Sequence, residues 1–119
     1  MGFRLSDNRG RIMESVIFIE LYKRSLTTHT TDLYYWKDRT GAEVDFLLFE
    51  KGVKELIQVT WDIGAEDTKK REIRGLLRAM EAFGLKSGKV ITYDREDEEG
   101  IGGRRIVFYP LWRFLLDIQ

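Results

Sequence analysis

The sequence predicts a single α/β (α+β) domain, a mixed sheet flanked by helices, in the order α-β-β-β-α-β-β-α. Three observations carry this expectation. A chain of 119 residues holds one sizeable core and is too short for two. Residues 66–83 repeat apolar side chains with the helical period and separate two groups of extended stretches. The connections between the first three stretches are short and carry glycine, which favours a meander feeding a helix that returns to the sheet.

The first element is read over residues 9–25, RGRIMESVIFIELYKRS. Ile12, Met13, Val16, Ile17, Ile19, Leu21 and Tyr22 point in too many directions for one narrow stripe, so a largely buried helix is expected, capped by the Ser6, Asp7, Asn8 cluster. TTHTTD then breaks it, because β-branched threonines and aspartate are poor helix formers. LYYWKD (33–38), EVDFLLFE (43–50) and KELIQVTWD (54–62) read as three antiparallel strands joined through RTGA and KGV. Strict alternation in the middle strand sets Glu43, Asp45 and Leu47 on one face and Val44, Phe46 and Leu48 on the other.

In residues 66–83, Ile73, Leu76, Leu77, Met80 and Phe83 follow i, i+3, i+4, i+7 spacing. Gly84 and Leu85 have the form of a Schellman stop, glycine at C′ and an apolar residue at C″. KVITYD (89–94) and RRIVFYP (104–110) are expected as a hairpin around an acidic, glycine-rich tip, REDEEGIGG. Pro110 suits the first turn of a closing helix, PLWRFLLDI, because its missing N–H is not needed there.

Composition narrows the function classes. Apolar residues make up 43% and charged residues 34% of the chain, as in a folded globular protein. Twenty Lys and Arg offset twenty Asp and Glu, so any attraction to nucleic acid comes from a local patch. There is no cysteine, which excludes disulfides and thiolate chemistry. No apolar run reaches the roughly 18–20 residues of a membrane span. The N-terminus MGFRLSDNRGR lacks the apolar stretch of a signal peptide, so a cytoplasmic protein without a membrane partner is expected. Few amides beside many charges is a thermophile-like bias.

Chemistry is sought in the meander. Asp45 stands mid-strand, and Gln58 and Thr60 share one face of the next strand. A carboxylate facing a residue pair two apart is the layout of two-carboxylate magnesium nucleases, in which acidic oxygens hold the cation and a lysine orients the attacking water. Here the pair is an amide and a hydroxyl.

GRIMESVIFIEL, YYWKDRTGAEVDFLL, IQVTWD, TKKREIRGLLRAMEAFGL, VITYD and PLWRFLL together resemble the C-terminal domain that follows the ATPase module in many archaeal and bacterial AAA-type ATPases of poorly defined function. That resemblance covers nearly the whole chain. It implies a restriction-endonuclease-like core of the PD-(D/E)xK superfamily. Carried over position by position, the metal-binding aspartate matches Asp45, the (D/E)xK pair falls on Gln58 and Thr60, and the first-helix glutamate matches Glu14, with Glu20 nearby. Gln58 removes one charge from the cation site and Thr60 cannot replace a lysine's cationic donor.

The resemblance therefore implies a non-catalytic, nuclease-like accessory domain that binds nucleic acid or a protein partner such as the ATPase module. Two other readings stay open. One is an active magnesium-dependent DNA nuclease in which Asp45, one first-helix glutamate and a displaced lysine from residues 69–71 rebuild the site, with Glu43 as a second acidic ligand. The other is a homodimeric module that self-associates through PLWRFLLDI. Lys69, Lys70, Arg71, Arg74 and Arg78 give the second helix a basic face for phosphates, or a solvated face balanced by Glu66, Asp67, Glu72 and Glu81. His29 stands alone, and the acidic run Asp94 to Glu99 lacks EF-hand spacing. Without a GxxxxGK[ST] loop, the chain has no P-loop route to ATP hydrolysis.

Overall fold

The computed structural model describes residues 8–117. These form three helices and six strands in the order α1 (Asn8–Thr28), β1 (Asp32–Lys37), β2 (Glu43–Phe49), β3 (Val53–Val59), α2 (Glu66–Phe83), β4 (Ser87–Thr92), β5 (Asp97–Ile101), β6 (Arg104–Pro110) and α3 (Leu111–Asp117). Ser6 and Asp7, expected to help cap the first helix, lie outside the described residues. No helix among the described residues is long and apolar enough to cross a membrane.

The strands form one mixed sheet in the order β1-β2-β3-β4-β6-β5. β1, β2 and β3 are an antiparallel meander. The crossover through α2 makes β4 parallel to β3. Helix α2 covers one face, where Leu76, Ala79 and Met80 pack with Val44, Leu47, Leu56, Val90 and Phe108. Helices α1 and α3 cover the other, where Met13, Ile17, Leu21 and Phe114 pack with Phe46, Leu48, Ile57, Val59 and Ile91. The result is a three-layer α/β arrangement.

Helix α2 ends as its sequence requires. Gly84 takes φ 69°, its N–H and that of Leu85 both bond to the Met80 carbonyl, and Leu85 folds onto the core.

Three expectations are corrected. Residues 89–94 and 104–110 are not a hairpin: β4 and β6 pair in parallel, and the acidic run supplies a further strand, β5, antiparallel to β6. The tight turn is Gly102-Gly103, both at positive φ, so the hairpin is displaced by one strand. Acidic residues are acceptable in β5 because it is an edge, where solvated charge also blocks further pairing. Helix α1 is not largely buried: Met13, Ile17 and Leu21 are its buried residues, while Ile12, Phe18, Ile19, Tyr22 and Leu26 are 45–64% exposed. Finally, β2 does not alternate strictly. Tyr34 pairs with Leu47 and Trp36 with Val44, which leaves two residues of β2, Asp45 and Phe46, opposite one of β1, Tyr35. This bulge puts Val44 and Leu47 on the same side, against α2.

Candidate functional site

The bulge falls at Asp45 and opens the sheet between β2 and β3. Backbone pairing runs from Phe49 opposite Val53 to Phe46 opposite Ile57. Beyond that point side chains complete the ladder. Gln58 Oε1 accepts the Asp45 N–H at 2.9 Å, and Asp45 Oδ2 accepts the Val59 N–H at 2.8 Å.

Gln58 is 2% exposed, and its amide is fully engaged. Nε2 donates to the Glu43 carbonyl at 2.7 Å and to the Glu72 carbonyl, inside α2, at 3.1 Å. Two donors and one acceptor thus tie β2, β3 and α2 together. Gly75 permits this close approach. A Cβ there would overlap the Glu43 carbonyl oxygen and lie 2.7 Å from Gln58 Nε2.

Beside this junction lies a cavity of about 130 Å³, with Glu14, Asp45 and Glu72 in its lining and Arg71 and Arg74 on it as well. Burial, reinforced by the charges of Glu72, Glu14 and Glu43, pushes the Asp45 carboxyl up to about 8, against the opposing pull of the Val59 N–H. Burial also raises Glu14, while the Arg11 charge lowers it. The structure thus brings Glu14 to Asp45, while Glu20 pairs with Lys23 at 3.7 Å. Glu43 turns toward β1, accepting the Tyr35 hydroxyl at 2.5 Å and pairing with Lys37 at 3.8 Å. Thr60 is buried just past β3, where its N–H bonds to the Ile91 carbonyl and its hydroxyl lies 3.5 Å from the Asp62 carbonyl.

The magnesium ion that the resemblance implies does not fit these residues. Gln58 presents a neutral amide whose oxygen and nitrogen are both committed to the backbone, where a hard cation needs a carboxylate oxygen. Among the described residues no three Asp, Glu or His side chains converge to hold a metal ion.

The basic residues of α2 are largely engaged. Lys69 pairs with Glu99 at 2.6 Å, Arg71 with Glu72 at 3.5 Å and Arg78 with Asp38 at 3.0 Å, while Arg74 donates to Thr40 Oγ1 at 2.8 Å. Lys70 is exposed. Asp38 organises the β1–β2 turn by accepting the N–H groups of Thr40 and Ala42. The Thr40 hydroxyl and the Arg78 guanidinium hold its carboxyl below the usual range.

Glu72, expected in the solvated charge balance of α2, is instead 8% exposed, and its charge acts on Asp45. Its signal was periodic: Glu72, Gly75, Leu76, Ala79 and Met80 are the buried residues of α2, at i, i+3, i+4, i+7 and i+8. A carboxylate in that register is costly unless it has partners.

Comparison with known proteins matches residues 9–114 to a family described as a domain of unknown function, DUF4143. The chain belongs to this family. A protein of Methanocaldococcus jannaschii described as uncharacterized is 38% identical over 117 residues, an alignment covering 93% of this chain. The chain spans about a quarter of that relative, 26% of its length. The DUF4143 match takes in Glu14, Asp45, Gln58, Glu72 and all of α2, so the bulge, the cavity and the basic face all lie inside the family domain.

Proposed function

We propose that the chain is a non-catalytic, nuclease-like accessory domain of an archaeal AAA-type ATPase, and that it acts by binding a protein partner, the ATPase module being the first candidate. The fold reading is supported by the α1-β1-β2-β3-α2-β4 run, an antiparallel meander followed by a parallel partner strand reached through a helix. The loss of catalysis rests on Gln58: the position that would supply a metal-binding carboxylate holds an amide whose three hydrogen bonds brace β2, β3 and α2. The internal ion pairs of Lys69, Arg71 and Arg78 leave less free positive charge for phosphates, which favours a protein over nucleic acid.

The rival reading, a DNA nuclease with a rearranged site, draws on the cavity that Glu14, Asp45 and Glu72 share beside Arg71 and Arg74. Cleavage assays on labelled single-stranded, duplex and branched DNA, with Mg²⁺, Mn²⁺ or EDTA, separate the two. The proposal expects no cutting under any condition. Metal-dependent cutting that Asp45→Ala abolishes would establish the nuclease instead.

A further inference from the structure

Helix α1 carries a second apolar face that the fold leaves uncovered. Met13, Ile17 and Leu21 fill the core, whereas Ile12, Ile19, Tyr22 and Leu26 are exposed by 64, 49, 48 and 53%. Ile12, Ile19 and Leu26 are seven residues apart, with Ser15 and Tyr22 between them, so they form one stripe along nearly the whole helix. Phe18 stacks on Phe46 of the sheet and on Tyr22, at 6.4 and 5.7 Å between ring centroids, which fixes the Tyr22 ring before any partner arrives.

We propose that this stripe is a two-fold interface on which α1 of a second copy of the chain packs antiparallel, with Ile19 at the axis. Three features select a second copy. The stripe is symmetric about Ile19, so a two-fold rotation there sets Ile12 of one copy against Leu26 of the other without a change of register. The first turn of α1 carries Arg9 and Arg11 but no acidic residue, which opposes its own dipole, and its last turn carries no basic residue to complement the carbonyl end. Antiparallel pairing brings each basic first turn beside the carbonyl end of the partner helix and offsets both deficits. The charges nearer the middle, Glu20 with Lys23 and Arg24 with Glu55, are paired within the chain and do not oppose contact. With Phe18, the exposed part of the stripe amounts to roughly 500–600 Å² per copy, enough for a small but specific dimer.

This interface is independent of the site between β2 and α2 and of the proposed accessory role. Light scattering after size exclusion should give twice the 14.0 kDa chain mass at about 1 mM chain. Ile19→Glu should return it to the single-chain mass, and its thermal melt should be unchanged at low-micromolar chain, where the wild type is also a single chain, since Ile19 lies outside both core clusters. The chain has no cysteine, so Ile19→Cys should cross-link to a disulfide dimer at least tenfold faster than Tyr34→Cys on the exposed edge strand β1. A single-chain mass for the wild type at that concentration would overturn the proposal. So would a dimer that survives Ile19→Glu, or equal cross-linking rates for the two cysteine variants.

Discussion

Gln58 and Asp45 hold each other across the opened seam between β2 and β3: the amide oxygen of Gln58 takes the Asp45 N–H at 2.9 Å, while the Asp45 carboxyl oxygen Oδ2 takes the N–H of Val59, one residue beyond Gln58, at 2.8 Å. A stretch of backbone ladder is thereby replaced by two side chains. The amide of Gln58 is structural at this point, because a carboxylate there cannot donate to the Glu43 and Glu72 carbonyls.

Gln58→Glu should therefore destabilise the fold by about 2–4 kcal/mol at pH 7, from two lost donors and the burial of a carboxyl beside Glu72. Denaturant unfolding measures this. The loss should shrink at pH 4–5, where a protonated glutamic acid recovers one donor. A variant as stable as wild type at pH 7 would show that the brace carries no energy.

Asp45 should make the protein less stable as pH rises. Its folded value of about 8 lies above the ordinary 3.8, so between these limits the folded state keeps a proton that the unfolded state has released. Stability is fullest below about pH 4 as far as this group is concerned, and it declines until about pH 8. Asp45→Asn keeps an acceptor for the Val59 N–H and removes the titration. The variant should gain about 2–3 kcal/mol on the wild type at pH 8 and little at pH 4, read from paired melts across that range. A constant difference between the two proteins would refute the assignment.

Gly75→Ala should cost about 2–4 kcal/mol, although alanine ordinarily favours a helix. The added methyl would overlap the Glu43 carbonyl and crowd Gln58, so α2 must lift from the sheet. Gly100→Ala, where a Cβ meets nothing within 4 Å, serves as the control. Equal melting temperatures for the two variants would remove the close approach as a cause.

DNA should not be retained at about 0.15 M salt, and Lys70→Glu with Arg74→Glu should leave gel-shift behaviour unchanged. Binding whose salt dependence falls by about two charges in the double variant would instead make α2 a phosphate-contacting face.

Much of this architecture was written in local pattern. The period of Leu76 and Met80 marks α2, and Gly84 and Leu85 mark its end, whereas Asp45, Gln58 and Glu14 stand out together only through the family resemblance, which leaves Glu20 open beside Glu14. What could not be read locally depends on which strand lies beside which. β4 and β6 look like hairpin partners in sequence, yet β5 takes the antiparallel place and β4 becomes the parallel neighbour. Glu72 became a site residue only once α2 docked, and the exposed stripe of α1 emerged only when one of its two apolar faces was consumed by the core. Periodicity records how many apolar faces an element has; the packing of the other layers decides which of them is buried, and whether an amide such as Gln58 meets an ion or the backbone.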